Sequence, residues 1–284
     1  MAIKHVGVVG CGLMGSGIAE VSARSGYQVT VSEATQELLD RGLGNLRNSL
    51  ERGVKAGKLP AEDRDAALGR IQGSTSFDGF KDCDIVIEAA TENMAVKKDI
   101  FARLDAACKP GAILASNTSC LSVIDMAMAT KRPDQVVGTH FFNPVPVMKL
   151  LEVIRTIASS PETVDRAKAF GESLGKTVII APDAPGFVVN RLLVPYLIDA
   201  VRMLEAGVAT MKEIDQGMVL GCAHPMGPLT LLDLVGIDTT LYIADAMFDE
   251  FKDAKFAAPP LMRKMVVAGR WGRKTGKGFY DYSK

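Results

Sequence analysis

Short apolar runs alternate with longer segments whose apolar positions recur every three or four residues over the first two-thirds of the chain. Short runs rich in β-branched residues predict strands, and the longer recurrence predicts helices. Strands and helices that alternate in this way are typical of a parallel sheet with crossover helices. The predicted strands are 5–9, 28–32, 84–88, 112–116, 136–140, 149–154 and 176–180, and the predicted helices between them include 13–25 and 94–107.

A charged insert at 36–69 interrupts this alternation. It is too long for a simple loop between strands, so we interpret it as two amphipathic helices joined near Leu59 and Pro60. Proline is favoured in the first turn of a helix, which makes Pro60 a suitable start for the second one. We therefore predict a helical hairpin that projects from the sheet.

The pattern changes after the breaker cluster Pro182-Asp-Ala-Pro-Gly186, which suits a domain boundary. Beyond it the strand pattern is absent and only helical recurrence remains. We predict an α/β domain with a doubly wound sheet over 1–185 and an all-α domain over 186–284. The predicted helices of the second domain are 187–206, 211–220, 228–248 and 259–268.

The composition excludes some classes of binding partner. The 284 residues carry 33 basic and 33 acidic side chains, so no broad basic surface is expected and neither nucleic acid nor an anionic membrane is a predicted partner. No apolar run approaches the roughly 20 residues that span a bilayer, and strand-like sequence begins by Ile3, where a signal peptide would lie. The five cysteines have no metal-ligand spacing. We expect reduced thiols, no metal and a cytoplasmic location.

A glycine-rich turn carries the first chemical prediction. The spacing G-x-G-x-x-G follows the first predicted strand directly and opens the first predicted helix, which is the context of a Rossmann-type dinucleotide site. Its glycines allow a tight turn, a close approach of the backbone to a pyrophosphate, and close packing of helix on strand; the helix N-terminus supplies N–H donors. The predicted cofactor contacts are Gly10, Gly12, Leu13, Met14 and Gly15.

Glu33 indicates which dinucleotide binds. It ends the second predicted strand about 20 residues after the glycines, where an acid that binds ribose is expected. A carboxylate accepts hydrogen bonds from both ribose hydroxyls of NAD but repels a 2′-phosphate. The sequence therefore favours NAD over NADP.

His140 and Glu152 form the candidate catalytic pair. His140 ends a predicted strand, and Glu152 lies within the apolar run Leu150-Leu-Glu-Val-Ile154. A carboxylate buried in such a strand needs a partner, and a neighbouring imidazole is the simplest one. Oxidation of a secondary alcohol by NAD requires a base for the hydroxyl proton, and histidine suits this role near neutral pH.

Six motifs lie between Val6 and Tyr282, in this order: Gly-Leu-Met-Gly-Ser-Gly-Ile-Ala at 12–19, Ala-Ser-Asn-Thr-Ser at 115–119, His-Phe-Phe-Asn-Pro-Val-Pro-Val-Met at 140–148, Pro-Gly-Phe-Val-Val-Asn-Arg at 185–191, His-Pro-Met-Gly-Pro at 224–228 and Gly-Lys-Gly-Phe-Tyr at 276–280. With these motifs the chain resembles the L-3-hydroxyacyl-CoA dehydrogenase family. The resemblance is closest to its short-chain bacterial members, the 3-hydroxybutyryl-CoA dehydrogenases.

This resemblance implies a reaction and a set of roles. The reaction is the reversible, NAD-dependent oxidation of a short (S)-3-hydroxyacyl-CoA, such as 3-hydroxybutyryl-CoA, to the 3-oxoacyl-CoA. His140 is the implied base and Glu152 its partner. Ser119 and Asn190 are implied to hydrogen-bond the reacting end of the substrate, and Asn143 to lie beside the nicotinamide.

The resemblance also implies binding residues outside this centre. The helical hairpin is expected to hold the adenine nucleotide of CoA through Ser49 and Lys55, although the spacing leaves open whether Lys55 or Lys58 meets the phosphate. A homodimer through the helical domain is implied as well. The further implied cofactor contacts are Glu92, Lys97 and Lys274.

Two other interpretations remain open at this point. A different two-domain β-hydroxyacid dehydrogenase would ordinarily use a lysine base, and the pairing of His140 with Glu152 argues against it. A non-catalytic NAD(H)-binding relative would be expected to lack some of the four implied catalytic residues, and all four are present.

Overall fold

The chain divides into two compact units after Asp183 in a computed structural model, which describes residues 3–283. All strands of the described range belong to the first unit and form one sheet. The strands are β1 (His5–Val9), β2 (Gln28–Ser32), β3 (Ile71–Ser74), β4 (Ile85–Glu88), β5 (Ile113–Ser116), β6 (Val136–Phe141), β7 (Leu150–Arg155) and β8 (Thr177–Pro182).

The order of the strands is β3-β2-β1-β4-β5-β6-β7-β8. The first six in this order run parallel, β7 is antiparallel to β6, and β8 is parallel to β7. The chain leaves β1 towards β2 on one side and later returns to β4 on the other. Sheets of this kind bind ligands at the carboxyl ends of the strands beside such a switch point.

Helices flank this sheet and form the whole of the regular structure described in the second unit. Those of the first unit are α1 (Leu13–Arg24), α2 (Gln36–Lys55), α3 (Ala61–Gly69), α4 (Met94–Ala107), α5 (Val123–Ala127) and α6 (Pro161–Ser173). Those of the second unit are α7 (Val189–Glu205), α8 (Met211–Gly221), α9 (Pro228–Val235), α10 (Ile237–Phe251) and α11 (Pro260–Val267). Short 3₁₀ turns occur at Asp78–Phe80, Pro133–Gln135, Ala254–Phe256 and Arg273–Thr275.

The core of the first unit explains why its central strands are continuously apolar. β4 and β5 are buried at every position, as expected for parallel strands covered on both faces. α1 packs on β1 and β2 and buries Ile18 and Ala19 completely in the same core. The second unit has a hydrophobic cluster of its own, in which Leu229, Leu232 and Ile237 are fully buried.

The hairpin insert is formed by α2 and α3, which pack on each other and on α1. α2 begins at Gln36 with the Thr35 hydroxyl accepting a hydrogen bond from the Leu38 N–H, and α3 follows Pro60. The predicted fold class, a Rossmann-type sheet with a helical hairpin and a helical C-terminal part, is confirmed.

Three elements differ from the prediction. The helix α5 was not predicted, because its five residues are too few for a helical recurrence of apolar positions to appear. β3 was missed because Ile-Gln-Gly-Ser is a short edge strand with little apolar character. The predicted single helix over 228–248 is two helices, α9 and α10, because Gly236 between them adopts a φ of +106°. This conformation is accessible to glycine and interrupts a helix.

Candidate functional site

The glycine turn leaves the N-terminus of α1 open. Gly10 adopts a φ of +91°, and a Cβ at Gly15 would overlap the Gly10 carbonyl oxygen, so both positions require glycine for the turn itself. Gly12 differs, because a Cβ there would meet no protein atom within 4 Å. No side chain caps α1, and its first turn contains no acid. The turn therefore offers free space and N–H donors to an anion such as the pyrophosphate of NAD.

Glu33 lies directly beside this turn. Its Oε1 accepts a hydrogen bond from the Cys11 N–H at 2.7 Å, and its Oε2 accepts one from the Ala34 N–H at 3.0 Å. The Gly10 N–H donates to the Ser32 carbonyl at 2.8 Å, which fixes the end of β2 against the turn. A carboxylate is thus held next to the first strand's carboxyl end, where a ribose would lie.

His140 and Glu152 are opposite each other on the antiparallel strands β6 and β7. Side chains of opposed residues point to the same face of a sheet. His140 Nδ1 lies 2.6 Å from Glu152 Oε2, and both side chains are buried, with His140 5% and Glu152 0% exposed. The predicted contact between the two side chains is therefore present, and the carboxylate fixes the ring on its Nδ1 side.

The loop after β5 connects this pair to the neighbouring strands. Asn117 Oδ1 accepts a hydrogen bond from the Phe141 N–H at 2.9 Å, directly after His140. Ser119, half-buried in the same loop, donates its backbone N–H to Glu92 Oε1 at 2.8 Å. Glu92 Oε2 also accepts the Thr118 hydroxyl at 3.0 Å. Glu92 and Ser119 are thus brought together, as two of the predicted site residues.

Lys97 is held in an ion pair that the sequence did not reveal. Its ammonium lies 2.8 and 2.7 Å from the two carboxylate oxygens of Glu88, the last residue of β4. Lys97 is 2% exposed and Glu88 is fully buried. A weaker contact of 3.5 Å joins the Lys97 Nζ to Glu92 Oε2.

A cavity of about 350 Å³ lies between α1, α2 and the loop that follows β6. Asn143 of that loop and Ser49 of α2 both line it, as does Arg52, which the sequence did not single out. Lys55 and Lys58 are exposed near the end of α2 and are not among its lining residues. The remaining lining residues are Leu13, Ser16, Gly17, Glu20, Asn45, Leu46, Asn48, Pro144, Val145 and Pro146.

Two predicted residues lie in the second unit. Asn190 is in the first turn of α7 and is partly exposed. Lys274 pairs with Asp238 of α10, with its Nζ 2.7 Å from Asp238 Oδ2. Within the described residues no group of three or more His, Cys, Asp and Glu side chains could hold a metal ion, and no helix is long and apolar enough to cross a membrane.

Comparison with family models identifies both units. Residues 5–184 match the 3-hydroxyacyl-CoA dehydrogenase NAD-binding domain, and residues 186–282 match the C-terminal domain of the same family. The chain belongs to the 3-hydroxyacyl-CoA dehydrogenase family. The predicted family is therefore confirmed, and so is NAD as the cofactor, since the first model is an NAD-binding domain.

Individual members of the 3-hydroxyacyl-CoA dehydrogenase family are similar over the full chain. A 3-hydroxybutyryl-CoA dehydrogenase of Mycobacterium tuberculosis is 51% identical, with 99% of each chain covered. One from Clostridioides difficile is 46% identical, covering 98% of this chain and 99% of its own. The crystal structure of (S)-3-hydroxybutyryl-CoA dehydrogenase from Ralstonia eutropha superposes with a TM-score of 0.96 at 46% identity, with both chains fully covered.

Proposed function

We propose that this protein catalyses the reversible, NAD-dependent oxidation of a short (S)-3-hydroxyacyl-CoA, such as 3-hydroxybutyryl-CoA, to the 3-oxoacyl-CoA. The observation that carries the proposal is the buried contact of 2.6 Å between His140 and Glu152, in the sheet that also carries the glycine turn. The names of the similar family members support the substrate class.

His140 is the proposed base that accepts the hydroxyl proton. When the Nδ1–H donates to Glu152, the basic lone pair of the ring is the one on Nε2. The imidazolium that forms is stabilised by the Glu152 carboxylate, and in the reverse direction it returns the proton to the 3-oxo oxygen. Bound NAD⁺ supplies the hydride acceptor for the carbon that carries the hydroxyl group.

The remaining site residues are proposed to bind and orient the reactants. Ser119 and Asn190 hydrogen-bond the reacting end of the substrate, and Asn143 lies beside the nicotinamide. Glu33 accepts the ribose hydroxyls, which its position beside the Cys11 N–H supports. The turn residues Gly10, Gly12, Leu13, Met14 and Gly15 meet the pyrophosphate, and the further proposed cofactor contacts are Glu92, Lys97 and Lys274.

The adenine nucleotide of CoA is proposed to lie along the hairpin. Ser49 and Arg52 line the same cavity as Asn143, which supports a path from the hairpin to the reacting groups. Lys55 follows Arg52 by about one turn of α2 and adds a second positive charge. These cations would meet phosphates locally in a chain with no net charge.

We also propose an assembly and a cellular location. A homodimer through the helical C-terminal domain is supported by exposed apolar side chains there, including Leu192 and Leu220. A cytoplasmic location is supported by five free cysteine thiols, all within the described residues.

The reaction is tested by following NADH absorbance with 3-oxoacyl-CoA substrates of increasing chain length. We expect turnover with 3-oxobutyryl-CoA, a decline with long chains, and much slower turnover with NADPH at the same concentration. NADH binding without turnover of any acyl-CoA would favour the non-catalytic alternative. A preference for NADPH would contradict the role of Glu33.

A further inference from the structure

The buried pair of Glu88 and Lys97 is fully satisfied. Besides the two contacts from Lys97, Glu88 Oε1 accepts the Ala90 N–H at 2.8 Å and Oε2 accepts the Ser116 hydroxyl at 2.7 Å. The carboxylate therefore receives four contacts from three donor groups while it is 0% exposed. Its backbone carbonyl accepts the Asn117 N–H at 2.7 Å as well.

Stability alone does not account for such a pair. Removal of two charges from water costs free energy that their mutual attraction does not always offset, and an apolar pair of similar volume is often at least as stable. The pair also lies at the carboxyl ends of β4 and β5, beside the switch point where ligands bind in doubly wound sheets. Both features favour a functional role.

Contacts through Glu92 connect Lys97 to Ser119. The ammonium lies between the carboxylates of Glu88 and Glu92, closely paired with the first and 3.5 Å from the second. Glu92 in turn holds the Ser119 N–H and the Thr118 hydroxyl. Through Ser116 and Asn117, Glu88 also fixes the first half of the same loop.

We propose that Glu88 and Lys97 are positioning residues for the loop that carries Ser119. Lys97 holds Glu92 in place, Glu92 orients the Ser119 backbone, and Glu88 anchors the ammonium and the start of the loop. Lys97 therefore acts on this loop through Glu92. This inference rests on the proposed function where turnover is measured, but not where hydrogen exchange is measured.

The first test measures turnover and cofactor affinity of Lys97→Met. We expect kcat with 3-oxobutyryl-CoA to fall about 10- to 100-fold, because displacement of a substrate-binding group misaligns the reactants. NADH affinity, measured by fluorescence titration, should fall as well, because Glu92, which Lys97 holds, is itself a proposed cofactor contact. An unchanged kcat at saturating NADH, with or without a loss of NADH affinity, would overturn the proposal.

A double-mutant cycle separates serial from independent action. If Lys97 acts through Glu92, the variant with both Lys97→Met and Glu92→Gln is no slower than the slower single variant. Additive losses would contradict the proposal. Lys98→Met is the matched control, since Lys98 is the next residue of α4 and pairs with the exposed Asp125 at 3.0 Å; it should keep the wild-type rate.

Hydrogen exchange provides a readout that needs no activity. In Lys97→Met the Ser119 amide, which now donates to Glu92 at 2.8 Å, should exchange about tenfold faster, while amides of α6 should be unchanged. If Lys97→Met fails to fold, Glu88→Gln with Lys97→Met removes both charges and leaves no unpaired ion; faster exchange at Ser119 is expected there too. Unchanged exchange in a folded variant would refute the positioning role even if the protein proves to have another substrate.

Discussion

His140 depends on Glu152 for its orientation and is itself the group that changes protonation in the proposed reaction. His140→Gln keeps a polar side chain but removes the base, so we expect turnover to fall by roughly 10²- to 10⁴-fold. NADH affinity should be nearly unchanged, because the glycine turn proposed to bind the cofactor follows β1, whereas His140 lies on β6. Steady-state rates and fluorescence titration measure the two quantities.

Controls for this prediction come from the same sheet. His5→Gln alters the first residue of β1, where His5 Nε2 contacts the Thr30 hydroxyl at 2.9 Å, and it should keep the wild-type rate. Glu152→Gln should also be slow, since an amide cannot stabilise the imidazolium. A variant with both His140→Gln and Glu152→Gln that is much slower than His140→Gln alone would indicate that the two residues act separately.

The cysteines differ sharply in their expected reactivity. Burial and the Glu33 carboxylate raise the pKa of the Cys11 thiol to about 12, and burial is the main cause that raises the pKa of Cys120 to about 12. The thiolate is the reactive form, so these groups should resist alkylation at pH 8. Cys222 is exposed. We expect iodoacetamide to label Cys222 alone in the native protein and all five cysteines after denaturation, as measured by peptide mass spectrometry; rapid native labelling of Cys11 would contradict the structure.

At the residue scale, two buried pairs follow the same rule, but the sequence predicted only the pair of His140 and Glu152 and missed that of Glu88 and Lys97. Glu152 was recognised because a carboxylate inside an apolar strand needs a partner. Glu88 closes the equally apolar run Ile85-Val-Ile, yet its partners are 9 and 28 residues away in Lys97 and Ser116. A strand-terminal acid is also common on a surface, so only the packing of α4 on the sheet reveals its burial.

At the scale of elements, apolar runs located every strand except β3. The central strands are buried on both faces, which makes their runs continuous, whereas β3 pairs only with β2 at the edge. The hairpin was predicted from length and polarity. Its cavity was only partly predicted, because Arg52 becomes a lining residue through the packing of α2 on α1 and on the loop at Asn143.

The hairpin yields a prediction about substrate recognition. Arg52→Ala and Lys55→Ala should each raise KM for an acyl-CoA about 3- to 10-fold, as expected for loss of a charge-assisted hydrogen bond. KM for an acyl-pantetheine should be unaffected. This substrate lacks the nucleotide, so it has no contact with either side chain to lose. Initial rates over a range of both substrates provide the comparison.

Two further variants complete this test, one as a negative control and one to compare the two lysines. Arg47→Ala removes an exposed cation of α2 that is not among the residues lining the cavity, so it should leave both KM values unchanged. Lys58→Ala, compared with Lys55→Ala, identifies which lysine meets phosphate. Equal effects of Arg52→Ala on the two substrates would contradict nucleotide binding at the hairpin.

At the scale of the whole molecule, zero net charge excludes a broad basic surface but not anionic ligands. Both proposed ligands are polyanions, and the structure offers them local groups instead. The open N-terminus of α1 lies in the first unit together with Glu33, His140 and the hairpin. Among the proposed catalytic residues only Asn190 belongs to the second unit. The first unit alone is therefore expected to bind NAD(H), whereas turnover is expected to need Asn190 of the second unit as well.

A fragment ending at Asp183 tests this division. One large buried hydrophobic cluster lies wholly within the first unit, and the sheet is complete there, so we expect the fragment to fold and to bind NADH within about tenfold of the full chain, or about 1.4 kcal/mol. It should have no measurable turnover, because Asn190 is absent. Circular dichroism, NADH fluorescence and the 3-oxobutyryl-CoA assay, each run beside the full chain, measure these properties. A folded fragment that binds NADH and retains turnover would remove Asn190 from the proposed mechanism, whereas a folded fragment without NADH affinity would show that the glycine turn and Glu33 are insufficient for the cofactor.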